Sequence, residues 1–559
     1  MKMFLGEYNS IVENVAADLN EKKIVSRIWQ KDHTVWKDDP EEISNRLGWL
    51  DCIEVTKKSF DEINSFVEEI RGEGFTNALL MGMGGSSLAP EVFRLTLGIS
   101  DDYLDLSVLD STHPEQILEF SKKLNPEKTL YIVSTKSGGT IETISFMKYF
   151  YTETVKKLGR ENAGKHFIAI TDTGSGLEAM AKELNFNKIF LNDPNIGGRF
   201  SALSLFGIVP TALIGVDIEK LLSEAEKIVE ESKIVDVRKN NSSMLGVIMG
   251  ALANRGIDKF TFLISPQLKF MGAWLEQLIA ESTGKDGNGI LPVDLEPDLT
   301  IDEYSNDRVF IYIKLNDDST FKKKITELKK SAFPVIEIEL EKIYNLGGEF
   351  LRWEFATAVA GYVMGVQPFD QPNVESAKVA ARKMMEQFAE SGSLQSIEPA
   401  LVDSEIKVYG DIKSTNLKDA LEEFLSSCKK GKSYIALQAY LKPEEETWNA
   451  LQEFRTNILS KYKVATTLGF GPRFLHSTGQ LHKGDGGNGL FIQFIDEPLD
   501  DVPIPKTAGE KKSSISFGTL IKAQALGDRQ ALIDSGRKVI RIDVGTSIPD
   551  NITKLVNFI

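Results

Sequence analysis

Cysteine is almost absent from this sequence: Cys52 and Cys428 are the only two in 559 residues. Two thiols so far apart exclude a disulfide framework and a cysteine-ligated metal site, and they fit a reducing compartment. No cluster has metal-ligand spacing, since CxxC and HxxE patterns are both missing. The expectation is therefore no metal and no other cofactor. An excess of positive charge is missing too. The 65 Lys and Arg are outnumbered by 81 Asp and Glu, for a net charge of -16. Nucleic acid and anionic membrane are accordingly not expected as partners. The longest apolar stretch, Ala202 to Val216, is too short to span a bilayer and contains Pro210, so it reads as a buried helix. The opening MKMFLGEYNSIVENVAADL carries acidic residues in its first turns and no apolar core of a signal peptide, which predicts a cytoplasmic protein. Low-complexity segments are absent as well.

What is present is an ordinary globular composition, 42% hydrophobic and 26% charged, over a length that calls for several domains. Residues 1–45 read as a polar helical arm anchored by Trp29 and Trp36. Short apolar runs then alternate with helical spacing: Ala78 to Met81, Leu104 to Leu109, Leu130 to Val133, Phe167 to Ile170 and Ile189 to Leu191. That alternation predicts a parallel sheet with helices on both faces. A second α/β unit follows, with strands at 260–264, 309–313 and 335–340. Residues 386–430 read as a charged, irregular connector with Glu/Lys-rich helical pieces. The tail is α/β again, with strands at 434–440, 489–495 and 539–544. The expected division is 1–45, 46–225, 226–385, 386–430 and 431–559.

Ligands of parallel sheets bind at the C-terminal ends of strands. Two Gly/Ser loops fall there, 82–87 and 134–140. The second, VSTKSGGTIET, places Thr135, Lys136, Ser137 and Thr140 between a strand and a helix. Its glycines let backbone approach a ligand, and a helix N-terminus offers unpaired N–H groups. That is a phosphate cradle. It lacks the GKT or GKS ending of a nucleotide loop, so a phosphorylated small molecule is expected rather than ATP. The plainer alternative is a polar turn with no ligand.

Four further stretches carry chemistry. NIGGRFS sets Arg199 in a turn before a buried helix, either aimed at a ligand oxygen or lying in solvent. WLEQLIAESTG puts Gln277 and Glu281 at i, i+4 on one helix face; alone, it reads more readily as an exposed glutamate. FDQPNVESAK joins an apolar helix to a polar one, and its Lys378 could be a surface charge. FLHSTGQLHK holds His476 and His482, which in a polar turn are more often structural than catalytic.

Together these stretches resemble one family. GMGGSSLAP, STKSGGTIET, NIGGRFSALS, LEQLIAESTGKDGNG and VQPFDQPNVESAK look like the successive motifs of glucose-6-phosphate (phosphoglucose) isomerases, in order from about residue 75 to 380. Within the family, RIWQKDHTVWKDDPEEISNRLGWL and GPRFLHSTGQLHKG are most similar to the isomerase portion of bifunctional transaldolase/phosphoglucose isomerases. A transaldolase barrel has no room here, which leaves a stand-alone isomerase.

The resemblance implies two sugar-isomerase (SIS) doubly wound domains with a C-terminal α/β domain. It implies interconversion of glucose 6-phosphate and fructose 6-phosphate by ring opening and proton transfer through a cis-enediolate. The hexose phosphate would be the partner, in a homodimer with shared sites. Phosphate would bind Thr135, Lys136, Ser137 and Thr140, with Gly85 and Ser86 nearby; Thr135 stands where many members have Ser. Glu281 would move the proton between C1 and C2, and Arg199, next to Gly198, would stabilise the enediolate oxygen. Gln277, Gln371 and Lys378 would line the sugar site. Ring opening would need a His. In many bacterial members LHSxGQ follows the catalytic Glu closely, whereas this chain has no His between His166 and His476. The segment returns late, so His476 is expected to reach the site from the C-terminal domain of the same subunit or a partner, with His482 as competitor. The other readings are a non-catalytic sugar-phosphate sensor on the same fold and an isomerase that also takes mannose 6-phosphate.

Overall fold

The computed structural model describes residues 1–392 and 397–559. The chain opens with a short strand, β1 (Lys2–Phe4). The N-terminal arm is therefore not wholly helical: β1 pairs antiparallel with residues 335–337 of a distant strand. Three exposed residues carry no periodicity that could announce this. Helices Asn9–Glu21 and Ile24–Trp29 follow. Trp29 stacks on Phe355 with centroids 5.6 Å apart, and Trp36 Nε1 donates to the Ala358 carbonyl at 2.9 Å, so both tryptophans fasten the arm to the body.

The first sheet contains β2 (Asn77–Gly82), β3 (Asp105–Leu109), β4 (Thr129–Ser134), β5 (Phe167–Asp172) and β6 (Lys188–Asn192), in the order β3-β2-β4-β5-β6. All four pairings are parallel. Burial on both faces explains why these strands are continuous apolar runs; every residue of β4 is buried. The chain leaves β2 toward β3 and leaves β4 toward β5 on the other side, so a crevice opens between the two beyond Gly82 and Ser134. Both Gly/Ser loops start at that crevice.

The second sheet is made by β7 (Lys259–Ile264), β8 (Leu291–Val293), β9 (Arg308–Leu315) and β10 (Val335–Leu340), with β1 at its edge, in the order β1-β10-β9-β7-β8. Helix Met271–Thr283 leaves β7 toward the first sheet's crevice.

The third sheet repeats the pattern. It holds β11 (Leu401–Asp403), β12 (Ile406–Tyr409), β13 (Tyr434–Tyr440), β14 (Ala465–Phe470) and β15 (Gly489–Ile495). A hairpin of β16 (Pro503–Pro505) and β17 (Ser513–Ser516) intervenes before β18 (Lys538–Asp543). The order is β11-β12-β18-β15-β13-β14, with β18, β15, β13 and β14 parallel. The expected connector at 386–430 is corrected here. Its β11 and β12 extend this sheet antiparallel, and helix Leu417–Leu425 sits in the same core. The four-residue alternation of β12, with Ile406 and Val408 inward, is too brief to stand out from a charged background. Residues 393–396 of that stretch lie outside the described residues.

The third unit packs on the other two. Tyr434, Leu481 and Phe491 share a core with Ala280, Leu291 and Val293 of the second unit. Ile504 of the hairpin packs with Phe146 and Phe150 of the first. Buried His113 places Nε2 3.0 Å from Asp496 Oδ2. Among the described residues no helix is long and apolar enough to cross a membrane.

Candidate active site

A cavity of about 1200 Å³ lies where the three units meet. Its walls carry every residue singled out from the sequence except His482: Gly85, Ser86, Thr135, Lys136, Ser137, Thr140, Gly198, Arg199, Gln277, Glu281, Gln371, Lys378 and His476. That volume takes a hexose phosphate with room to spare.

One wall is the cradle after β4. Helix Ile141–Leu158 begins there, so its free N–H groups and positive dipole end face the cavity. Thr135 and Thr140 exchange a hydroxyl hydrogen bond at 2.9 Å. Gly138 has φ +70°, and a Cβ there would sit 2.3 Å from Leu177 N, so the turn admits only glycine. The Lys136 ammonium is engaged by the Asp172 carboxylate and by the Pro194 carbonyl. Burial pushes the Asp172 carboxyl up, against the pull of Lys136. The loop after β2 presses against the Arg199 turn so closely that a Cβ on Gly85 would lie 1.9 Å from the Gly198 carbonyl.

The opposite wall holds the charges. Glu281 is 6% exposed, which removes the plain exposed-glutamate reading. Arg199 Nη1 stands 3.3 Å from Glu281 Oε1, and Gln277 Nε2 donates to Glu281 Oε2 at 3.1 Å. The guanidinium is fixed on its other edges: Nε donates to Ser282 Oγ at 2.8 Å, and Nη2 to the Pro368 and Asp370 carbonyls at 2.6 and 2.9 Å. Its Nη1 also donates to Gln371 Oε1 at 3.2 Å. Burial lowers the Arg199 pKa, opposed by Glu281 and Asp370. Lys285 donates to both the carbonyl and Oδ1 of Asp370 at 2.6 Å, holding the segment that carries Gln371. Burial, then the charge of Arg199, brings that ammonium down to about 7.

The third unit closes the site. Gln277 Nε2 donates its second hydrogen to the His476 carbonyl at 2.8 Å, so one amide holds both the Glu281 side chain and the His476 backbone. Gln277 Oε1 is buried and has no partner among the described residues, leaving an acceptor for a sugar hydroxyl. Gly84, at φ +54°, allows this approach, because a Cβ would meet the His476 carbonyl at 2.9 Å. His476 Nε2 lies 3.1 Å from Glu142 Oε1. Burial raises the Glu142 pKa, but the charge and hydrogen bond of His476, with the charge of Lys378, hold it below its ordinary value. An ionised carboxylate only accepts, so Nε2 carries the proton and Nδ1 is left for the cavity.

A different fate meets His482. It is 2% exposed in a box of Tyr434, Phe474 and Phe491, and burial pushes its pKa well below the ordinary value.

The phosphoglucose isomerase family profile matches residues 35–290. A probable glucose-6-phosphate isomerase of Methanococcus maripaludis is 30% identical over 386 residues, covering 62% of this chain and 85% of that protein. The chain belongs to the phosphoglucose isomerase family. Another member, a glucose-6-phosphate isomerase of Carboxydothermus hydrogenoformans, is 28% identical over 397 residues, covering 61% of this chain and 85% of that one. Of solved structures, a glucose-6-phosphate isomerase from Chlamydia trachomatis shares the fold with a TM-score of 0.57 at 18% identity, over 68% of this chain and 86% of that one. A hypothetical protein from Thermus thermophilus does so at 0.57 and 22%, over 68% and 99%. The family profile ends before the third unit, which supplies His476 from the turn after β14.

Glu142, Lys285 and Gln524 escaped the sequence reading. The first two lie inside quoted motifs, and an acidic residue in a helix's first turn was a usable signal. Nothing in the sequence around Gln524 points to the site.

Proposed function

We propose that this chain interconverts glucose 6-phosphate and fructose 6-phosphate through a cis-enediolate. The observation that carries the reading is Glu281, buried in the cavity between Arg199 and Gln277 opposite a phosphate cradle. The phosphate sits on the 135–140 turn, which supplies binding energy away from the reacting carbons. In the open-chain aldose, Glu281 takes the proton from C2. The C–H electrons form the C1=C2 bond, and the carbonyl electrons move onto O1 beside Arg199. The same carboxylic acid then returns the proton to C1, and the proton that O2 loses as the C2 carbonyl forms passes to O1, which ends as the ketose hydroxyl. Fixed donors at the developing oxyanion lower the barrier without reorganising. Gln277 Oε1 and Gln371 orient the sugar hydroxyls. This chemistry needs no metal or other cofactor, and the reaction belongs in the cytoplasm.

Ring opening falls to His476, whose Nδ1 exchanges a proton with the ring oxygen or the anomeric hydroxyl, with Lys378 alongside. One chain contributes all these side chains, so a homodimer is not needed to complete the site. A sugar-phosphate sensor would keep the cradle but has no use for a buried Glu281–Arg199 pair.

The test is fructose 6-phosphate in, glucose 6-phosphate out, with and without EDTA; no turnover in either condition removes the reading. The His476 assignment is tested with 5-deoxyfructose 6-phosphate, which lacks the hydroxyl that closes the furanose ring. His476→Asn should lose about 100-fold or more on fructose 6-phosphate and far less on the open-chain analogue, followed by NMR. Equal losses would sink the ring-opening role.

A further inference from the structure

We infer that Gln524, on a helix of the third α/β unit, is a positioning residue that sets the orientation of His476 through Glu142. The inference rests on His476 as ring opener and extends it to a group outside the family-matched region.

Helix Phe517–Asp534 follows the β16–β17 hairpin and delivers Gln524 to the inner wall of the cavity. The side chain is 4% exposed. Its Nε2 donates to Glu142 Oε1 at 2.7 Å, and its Oε1 accepts from Thr112 Oγ1 at 2.8 Å. The amide's orientation follows from chemistry: a carboxylate cannot donate, so the NH2 end must face Glu142 and the carbonyl end must face Thr112. Thr112 is itself fully buried.

The result is a buried line of hydrogen bonds from Thr112 to Gln524 to Glu142 to His476. Gln524 and His476 share one oxygen of Glu142. Gln524 therefore fixes where that oxygen sits, and the oxygen fixes the imidazole and its tautomer. Titratable groups near Glu142 include His476, Lys378 and Tyr440. Gln524 adds a neutral donor that holds the carboxylate without competing for its charge. The backbone of His476 is pinned separately by Gln277, so loss of Gln524 would free the ring and not the segment.

The experiment compares the full-length wild type with Gln524→Met, close in volume and unable to hydrogen-bond, and with Thr112→Val. Gln524→Met should lower kcat on fructose 6-phosphate by about 10- to 100-fold, as misplacement of a reacting group does, while KM stays within twofold. On 5-deoxyfructose 6-phosphate the loss should be less than threefold. Thr112→Val should show the same pattern more weakly. A merely structural role would lower both substrates together or raise KM, and either result overturns the proposal. So does unchanged kcat in Gln524→Met. Should His476→Asn itself fail to discriminate the two substrates, the ring-opening reading falls, and that outcome is separate from any seen with Gln524→Met.

Discussion

Glu142 Oε1 lies 3.1 Å from His476 Nε2, although 334 residues separate the two in the chain. The pair joins the phosphate-cradle helix of the first unit to the loop of the third unit. It brings a side chain of the third unit into the cavity lined by the other two.

The Glu142 carboxyl is held below its ordinary value, burial opposing and His476 prevailing. A depressed carboxyl contributes stability that is present above its unfolded value and lost as pH falls through its folded one. Wild type should thus exceed Glu142→Gln in stability by roughly 1–3 kcal/mol at pH 5.5 and by less at pH 3. Urea unfolding at both pH values measures this. A gap that widens in acid would contradict the pairing.

Arg199 is held by its fork, with separate edges on Ser282, Pro368 and Asp370 and one nitrogen toward Glu281. A lysine cannot make these contacts at once. Arg199→Lys, which keeps the charge, should lose about 100- to 1000-fold in kcat, as expected for a displaced oxyanion donor. Steady-state kinetics on fructose 6-phosphate would show it; a loss confined to KM would assign Arg199 to binding alone.

Lys285 gives a pH dependence of the same sign in a higher window. Its ammonium is brought down to about 7 by burial and by Arg199. A lowered lysine costs stability while the folded chain must charge it, and the cost fades as pH rises. The stability of wild type relative to Lys285→Met should therefore grow from pH 7 toward the ordinary ammonium value, then level off. Thermal unfolding across pH 6 to 10 tests this, and a flat difference would refute it.

The outline of this site was legible from the sequence because its parts are local. The strands before each loop are buried on both faces and read as unbroken apolar runs. The loops carry their glycines where backbone must come close, as at Gly84, Gly85 and Gly138. Helical spacing puts Glu281 and Gln277 on one helix face, where Gln277 donates a hydrogen bond to Glu281. What stayed hidden depends on distance in the chain. Nothing near Glu142 announces His476, and nothing near Gln524 announces either. β12 was hidden for another reason: its short apolar pattern is embedded among charges, and only the sheet it joins makes it regular.

The central claim is that Glu281 carries the proton between C1 and C2. Turnover of fructose 6-phosphate in D2O, followed by NMR, compares wild type with Glu281→Gln. Wild type should form glucose 6-phosphate and place deuterium at C2 through exchange of the carboxyl proton. Glu281→Gln should lose about 100- to 10,000-fold in rate and incorporate no deuterium ahead of turnover. Wild-type rates and deuterium exchange in Glu281→Gln would contradict the account.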